Sequence, residues 1–184
     1  MKSPMRENRT LGSVRGDRLP LTIEREEESS SSTRRYKMKE FKHFGVYGLI
    51  IEDNKIVLVK KNGGPYDGKF DLPGGSFEFG ETPQEALKRE LLEEIGIDLK
   101  ECELADADSV KFDWIYNNET LKWHHIGIFY KVLSYENNIQ TDVNIDDKNN
   151  DSFGAEYYDI NELKKEDLSE IAILELEKLG FKLN

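Results

Sequence analysis

The sequence predicts an α/β domain over residues 41–184. Two observations carry that expectation. A capped amphipathic helix over about 83–95 lies among runs of β-branched and aromatic residues, bounded by turn signals, that read as strands. A second capped helix closes the chain after those strands, so both element types share one stretch of ordinary domain size.

Taken in order, residues 1–38 combine mixed charge, few large apolar side chains and the run Glu26-Glu27-Glu28 before four serines. That is the composition of a disordered extension, here ending in the basic patch Arg34-Arg35-Tyr36-Lys37. From Phe41 the texture changes. Residues 44–52 and 55–61 are strand runs separated by Asp53-Asn54, a hairpin turn signal. A glycine-rich loop, 62–68, offers Tyr66 and the following Lys69 for base stacking or phosphate contact, or serves as a plain connection into Phe70-Asp71-Leu72-Pro73. The helix then starts at a capping box, Thr82-Pro83-Gln84-Glu85, with proline at the first helical position where its missing N–H costs nothing. Leu87, Leu91 and Ile95 form its core-facing stripe, and Gly96 supplies the left-handed stop. Strands are expected near 103–113, 121–133 and 156–160. Ser169 caps the last helix, with Ile171, Leu174 and Leu179 as its apolar stripe and Gly180 as its end.

The electrostatic oddity lies on the first helix. At 100° per residue, Glu93 stands about 60° to one side of Glu90 and Glu94 about 40° to the other, so three carboxylates share one arc. An acidic doublet alone reads as a solvated face. Here it follows Leu72-Pro73-Gly74-Gly75, a rigid and then permissive backbone able to approach a ligand closely. Hard oxygen donors in that number suit Mg2+ or Mn2+, with phosphate oxygens and water completing the shell. Glu85, four residues before Arg89, is placed to hold the guanidinium near the glutamates.

Gly75, five residues, Glu81, seven residues and then Arg89-Glu90-Leu91-Leu92-Glu93-Glu94-Ile95-Gly96-Ile97 resembles the complete Nudix box. The resemblance implies an α/β/α sandwich around a central mixed β-sheet. It also implies hydrolysis of a nucleoside diphosphate linked to another group, with Mg2+ or Mn2+ as cofactor. Residue by residue, it makes Glu90, Glu93 and Glu94 metal carboxylates and Gly75 a further ligand through its backbone carbonyl. Arg89 becomes the residue that orients the carboxylates, and Glu81 a supporting group acting through water or a structural hydrogen bond. Divalent ions would neutralise the diphosphate and lower the pKa of an attacking water, and a carboxylate would accept its proton. The general base is expected at Glu90 or in the downstream acidic stretch 142–159, where Asp151 is the first candidate and Glu156 the next.

Net charge is −11, unevenly spread: residues 1–40 hold 10 Lys/Arg against 7 Asp/Glu, and the remaining 144 hold 16 against 30. An acidic body argues against nucleic acid, including RNA 5′ ends, as partner, and is compatible with a small phosphorylated nucleotide bridged by metal ions. The lone Cys102 excludes an internal disulfide and fits a reducing compartment; without a membrane-length apolar run or leader, the expectation is a cytoplasmic protein. His124-His125 invite a zinc site, but neighbours on a strand point to opposite faces, so one of the two is expected at the core or cleft. Trp114, Tyr116 and Trp123 read as packing residues or as stacking partners for a base. The family's ADP-ribose hydrolases often carry a proline downstream of the box, and this chain has none after Pro83. Many family members are homodimers. The competing class is a domain that binds a nucleotide as sensor or scaffold without turnover; such domains usually lose glutamates of the box, and here none is lost.

Overall fold

The computed structural model describes residues 39–141 and 152–184. The extension 1–38 and most of the acidic stretch, including Asp146, Asp147 and Asp151, lie outside the described residues. Strands β1 (Lys39–Leu49), β5 (Gly74–Ser76), β6 (Asp98–Tyr116) and β7 (Glu119–Glu136) form one sheet in the order β5-β1-β7-β6. It is mixed: β1 runs parallel to β7, while β5 on β1 and β6 on β7 are antiparallel. Strands β2 (Ile51–Glu52), β3 (Lys55–Lys61), β4 (Phe70–Asp71) and β8 (Ser152–Asp159) form a second sheet around β3.

Strand alternation sends successive residues to opposite faces, and each face is covered by one helix. Val46 on β1 and Val57 and Val59 on β3 pack with Ala86, Leu87, Leu91 and Ile95 of α1 (Pro83–Ile95). Their neighbours Tyr47, Ile56 and Leu58 pack instead with Ile171, Ala172 and Leu176 of α2 (Glu170–Lys178). The expected sandwich is therefore present, and the stripe Leu87, Leu91, Ile95 is wholly buried. The α2 stripe differs from expectation. It is Ile171, Ala172, Glu175 and Leu176 that turn inward, while Leu174 is only half-buried and Leu179 is exposed beyond the helix end.

Two strand expectations are also revised. The run 44–52 does not continue as one hairpin arm. The chain leaves the first sheet after Leu49, and only Ile51 and Glu52 pair with β3 across the Asp53-Asn54 turn, both of whose residues have positive φ. Strands β6 and β7 extend well past 103–113 and 121–133 because a second tight turn, Asn117-Asn118, also at positive φ, closes a long hairpin between them. Bulges near Leu99, Glu101 and Leu104 shift the register and blur the alternation that sequence reading relies on.

Candidate active site

The site forms where β5 meets α1. Three consecutive residues of β5 each meet a different side chain of the helix. The Gly74 N–H donates to Glu94 Oε2 at 2.8 Å, and the Ser76 carbonyl accepts from Arg89 Nη2 at 2.9 Å. Between them Gly75 faces Glu90 so closely that an added Cβ would stand 2.7 Å from its Cδ. Gly74 is equally constrained: its φ is 140°, and a Cβ there would lie 2.1 Å from the Val46 carbonyl oxygen. The glycine pair lets strand backbone lie directly against helix carboxylates.

The expected capping box fixes where α1 begins. Thr82 Oγ1 accepts from the Glu85 N–H at 3.3 Å, and Glu85 Oε2 accepts from the Thr82 N–H at 2.9 Å. Glu85 is thereby engaged at the cap, and Arg89 pairs with other carboxylates. Arg89 donates through Nε and Nη2 to the two oxygens of Glu81, at 2.7 and 2.9 Å, a bidentate pair. Its Nη1 reaches Glu90 Oε1 at 2.8 Å and Glu93 Oε2 at 3.2 Å. The hydrogen bonding to Glu81 is the first reason that the guanidinium is held even more firmly protonated than usual. Glu81 also accepts from the Glu78 N–H at 2.7 Å, pinning the loop before the helix.

The three arc carboxylates sit in different surroundings. Glu93 is exposed. Glu90 is half-buried, and its pKa is raised: burial pushes it up, with the Arg89 hydrogen bond and charge pulling the other way. Glu94 is only 7% exposed, and its Oε1 accepts from Lys61 Nζ at 3.2 Å, an ion pair that sequence reading did not single out. A signal was available, since Lys61 follows Val57 and Val59 at strand spacing on the face turned to α1.

The other nominated residues fall elsewhere. Glu156 is exposed on β8. His124 and His125 do take opposite faces, and His125 is buried between two phenols. Tyr47 OH lies 2.7 Å from its Nε2 and Tyr66 OH 2.8 Å from its Nδ1. Burial, with His43 and Lys61 nearby, drives the His125 pKa well down, so the ring is neutral. Tyr66 therefore anchors the glycine-rich loop in the core, and Lys69 pairs with Glu170 at 2.9 Å. Trp123 packs with Phe41 and Leu121, and Trp114 leans on it edge-on, a packing cluster near the tip of the long hairpin.

A family model described as NUDIX domain matches residues 41–176. The chain belongs to the Nudix family. An ADP-ribose pyrophosphatase of Methanocaldococcus jannaschii is 44% identical over 64 residues, 35% of this chain and 38% of that protein. The nucleoside triphosphatase NudI of Enterobacter sp. is 28% identical over 138 residues, 72% of this chain and 89% of that protein. The chain spans about half the length of the first curated relatives it matches. A crystal structure of a MutT NUDIX hydrolase from Burkholderia pseudomallei superposes with a TM-score of 0.59 at 22% identity, covering 75% of this chain and 98% of that one, a likeness of fold.

The Nudix carboxylates offer a divalent ion only hard oxygen donors. Among the described residues no three His, Cys, Asp or Glu side chains converge as a ligand set. The protein's own cations stand against the carboxylates instead, Arg89 at Glu81, Glu90 and Glu93 and Lys61 at Glu94. The donors are hard oxygens on one helix turn beside a strand backbone, which suits Mg2+ or Mn2+, and the Lys61 ammonium already occupies a cation position at Glu94. The donor set fits the group. No helix among the described residues is long and apolar enough to cross a membrane.

Proposed function

We propose that this domain hydrolyses the diphosphate linkage of a small nucleotide or nucleotide derivative with Mg2+ or Mn2+. The observation that carries the reading is Arg89, which gathers Glu81, Glu90 and Glu93 of an unbroken Nudix box around one guanidinium. Glu90, Glu93, Glu94 and the Gly75 carbonyl would hold the metal, which supplies charge neutralisation at the phosphates and a more acidic attacking water.

The chain's own residues do the rest. Arg89 fixes the Glu90 carboxylate, and the capped helix makes a rigid platform, which suits a reaction that depends mainly on positioning. Glu90, with its raised pKa, accepts the proton of the attacking water, and Asp151 is the alternative acceptor. The water oxygen joins phosphorus, one bridging P–O bond breaks, and two phosphate-bearing products leave. An open groove of about 600 Å3 lined by Phe44, Phe77, Ile126 and Ile128, immediately after Ser76, offers apolar surface for the nucleoside part.

For substrate class, the similarity to NudI runs through most of the domain, and that relative is named a nucleoside triphosphatase. A nucleoside triphosphate, intact or oxidised, is accordingly the first substrate to test, with ADP-ribose beside it because of the shorter, closer match. Product release should be followed with Mg2+ and with Mn2+ on that panel, for the wild type and for Glu93→Gln and Glu94→Gln. Turnover of one member is expected, with most of it lost in each variant. Tight binding of a nucleotide without turnover of any would overturn the enzyme reading in favour of a sensor.

A further inference from the structure

We infer that Lys61 is the internal counter-ion of Glu94, and that a divalent ion enters this site by exchange with the Lys61 ammonium. The inference rests on the reading of Glu94 as a metal carboxylate. Glu94 is held from both sides: the Gly74 amide fixes Oε2, and Lys61 Nζ occupies Oε1 at 3.2 Å. Both partners are largely shielded, the Lys61 side chain 14% exposed and that of Glu94 6%. A carboxylate so buried is not left without a cation when metal is absent, because desolvating a lone charge costs several kcal/mol.

The lysine is itself held in place. Its backbone N–H donates to the Lys69 carbonyl at 2.9 Å and its carbonyl accepts from the Gly68 N–H at 3.0 Å, closing the base of the glycine-rich loop. The ammonium therefore meets Glu94 from a fixed root on β3. Oε2 is fixed on the strand backbone, and Oε1, where the Lys61 ammonium sits, is the cation-facing oxygen that an incoming ion meets. Two cations cannot share that oxygen at contact distance without strong mutual repulsion, so one leaves as the other arrives. The carboxylate keeps a counter-charge in both states, and metal affinity is set by the difference between the two partners.

Mn2+ alone, without nucleotide, provides the test, with free Mn2+ measured by electron paramagnetic resonance on the full chain. Lys61→Met, which keeps the stem and removes the charge, should bind Mn2+ about tenfold more tightly than wild type, part of the pairing energy of a shielded ion pair. Its metal-free melting temperature should fall, and Mn2+ should restore it. An equal or weaker Mn2+ affinity in Lys61→Met overturns the exchange while leaving the hydrolase reading standing. A wild type that binds no Mn2+ overturns both. Should Lys61→Met fail to fold, acetylation of Lys61 in the wild type by an N-hydroxysuccinimide ester, followed by mass spectrometry, decides instead. Acetylation should quicken severalfold when Mn2+ is added; an unchanged or slower rate overturns the inference.

Discussion

Replacing Arg89 by lysine keeps the charge at the centre of the carboxylate array and removes its shape. The guanidinium donates five hydrogen bonds, two to Glu81 and one each to Glu90, Glu93 and the Ser76 carbonyl. A lysine ammonium offers three donors from a single atom and cannot span Glu81, Glu90 and the strand together. The contact to exposed Glu93 is discounted, since water replaces it. Two charge-assisted bonds are then lost, the second to Glu81 and the one to Ser76, from a side chain 21% exposed. Hydrogen bonds to charged groups contribute about 1.5–3 kcal/mol each when buried, and partial solvation of this site brings the total to about 2–3 kcal/mol. At about 2–4 °C per kcal/mol for a chain of this size, Arg89→Lys should melt about 4–12 °C below wild type. Thermal melts followed by circular dichroism in metal-free buffer measure it. Hydrolysis, assayed at a temperature where the variant is folded, should fall at least about tenfold, because the strand at Ser76 is no longer tied to the group that holds Glu90. A variant that melts with wild type and turns over at the wild-type rate would refute the idea that the guanidinium fork, rather than its charge, organises the site.

Ser169 carries two duties at the start of α2: its hydroxyl donates to buried Asp71 at 2.6 Å and accepts from the Ala172 N–H at 3.1 Å. Ser169→Ala should therefore cost about 2–3 kcal/mol, a helix cap plus a buried acceptor stripped of one donor, read as a lowered urea midpoint with unchanged m. Glu175 is buried on the inner face of α2, and burial, opposed by Lys178 and reinforced by Asp106 and Asp108, raises its pKa from 4.5 to about 6. A raised carboxyl pKa stabilises the fold fully below the unfolded value, and that contribution is lost as pH rises through about 6. Over that window the wild type should lose up to about 2 kcal/mol relative to Glu175→Gln, whose melting temperature should overtake it at neutral pH; parallel curves from pH 4.5 to 7.5 would exclude this role for Glu175.

What was legible in the sequence was what local geometry dictates. The capping box, the Leu87-Leu91-Ile95 stripe and the Gly96 stop are set by contacts within a few residues, and all are present. What was hidden depends on partners far along the chain. Glu85 and Glu81 are each placed to meet Arg89, and only the fold shows that the guanidinium takes Glu81 while Glu85 stays with the cap. The split of 44–52 between two sheets is decided by β5 and β7 flanking β1 on its two edges, partners distant in sequence that no local propensity encodes. Lys61 and Glu94 are 33 residues apart, and His125 finds Tyr47 and Tyr66 from separations of 78 and 59. Leu174 and Leu179 misled because α2 is short and its inner face admits Glu175 in place of a leucine.

The spacing of the box has a geometric cause. Arg89 lies seven residues beyond the N-cap Thr82, about 10 Å along the helix axis. Side chains on a helix lean toward its N-terminus, so the long Arg89 side chain reaches back over the first turns while Glu81, just before the cap, reaches forward. They meet beside β5, where the Ser76 carbonyl closes the same guanidinium. One residue more or fewer between them would rotate Arg89 by about 100° and point it away from both Glu81 and the strand. Glu90, Glu93 and Glu94 would turn with it, away from Gly74 and Gly75. The glycines, the loop glutamate and the helix charges are thus one rigid construction, in which the strand fixes the carboxylates and the resident cations pair with the shielded ones.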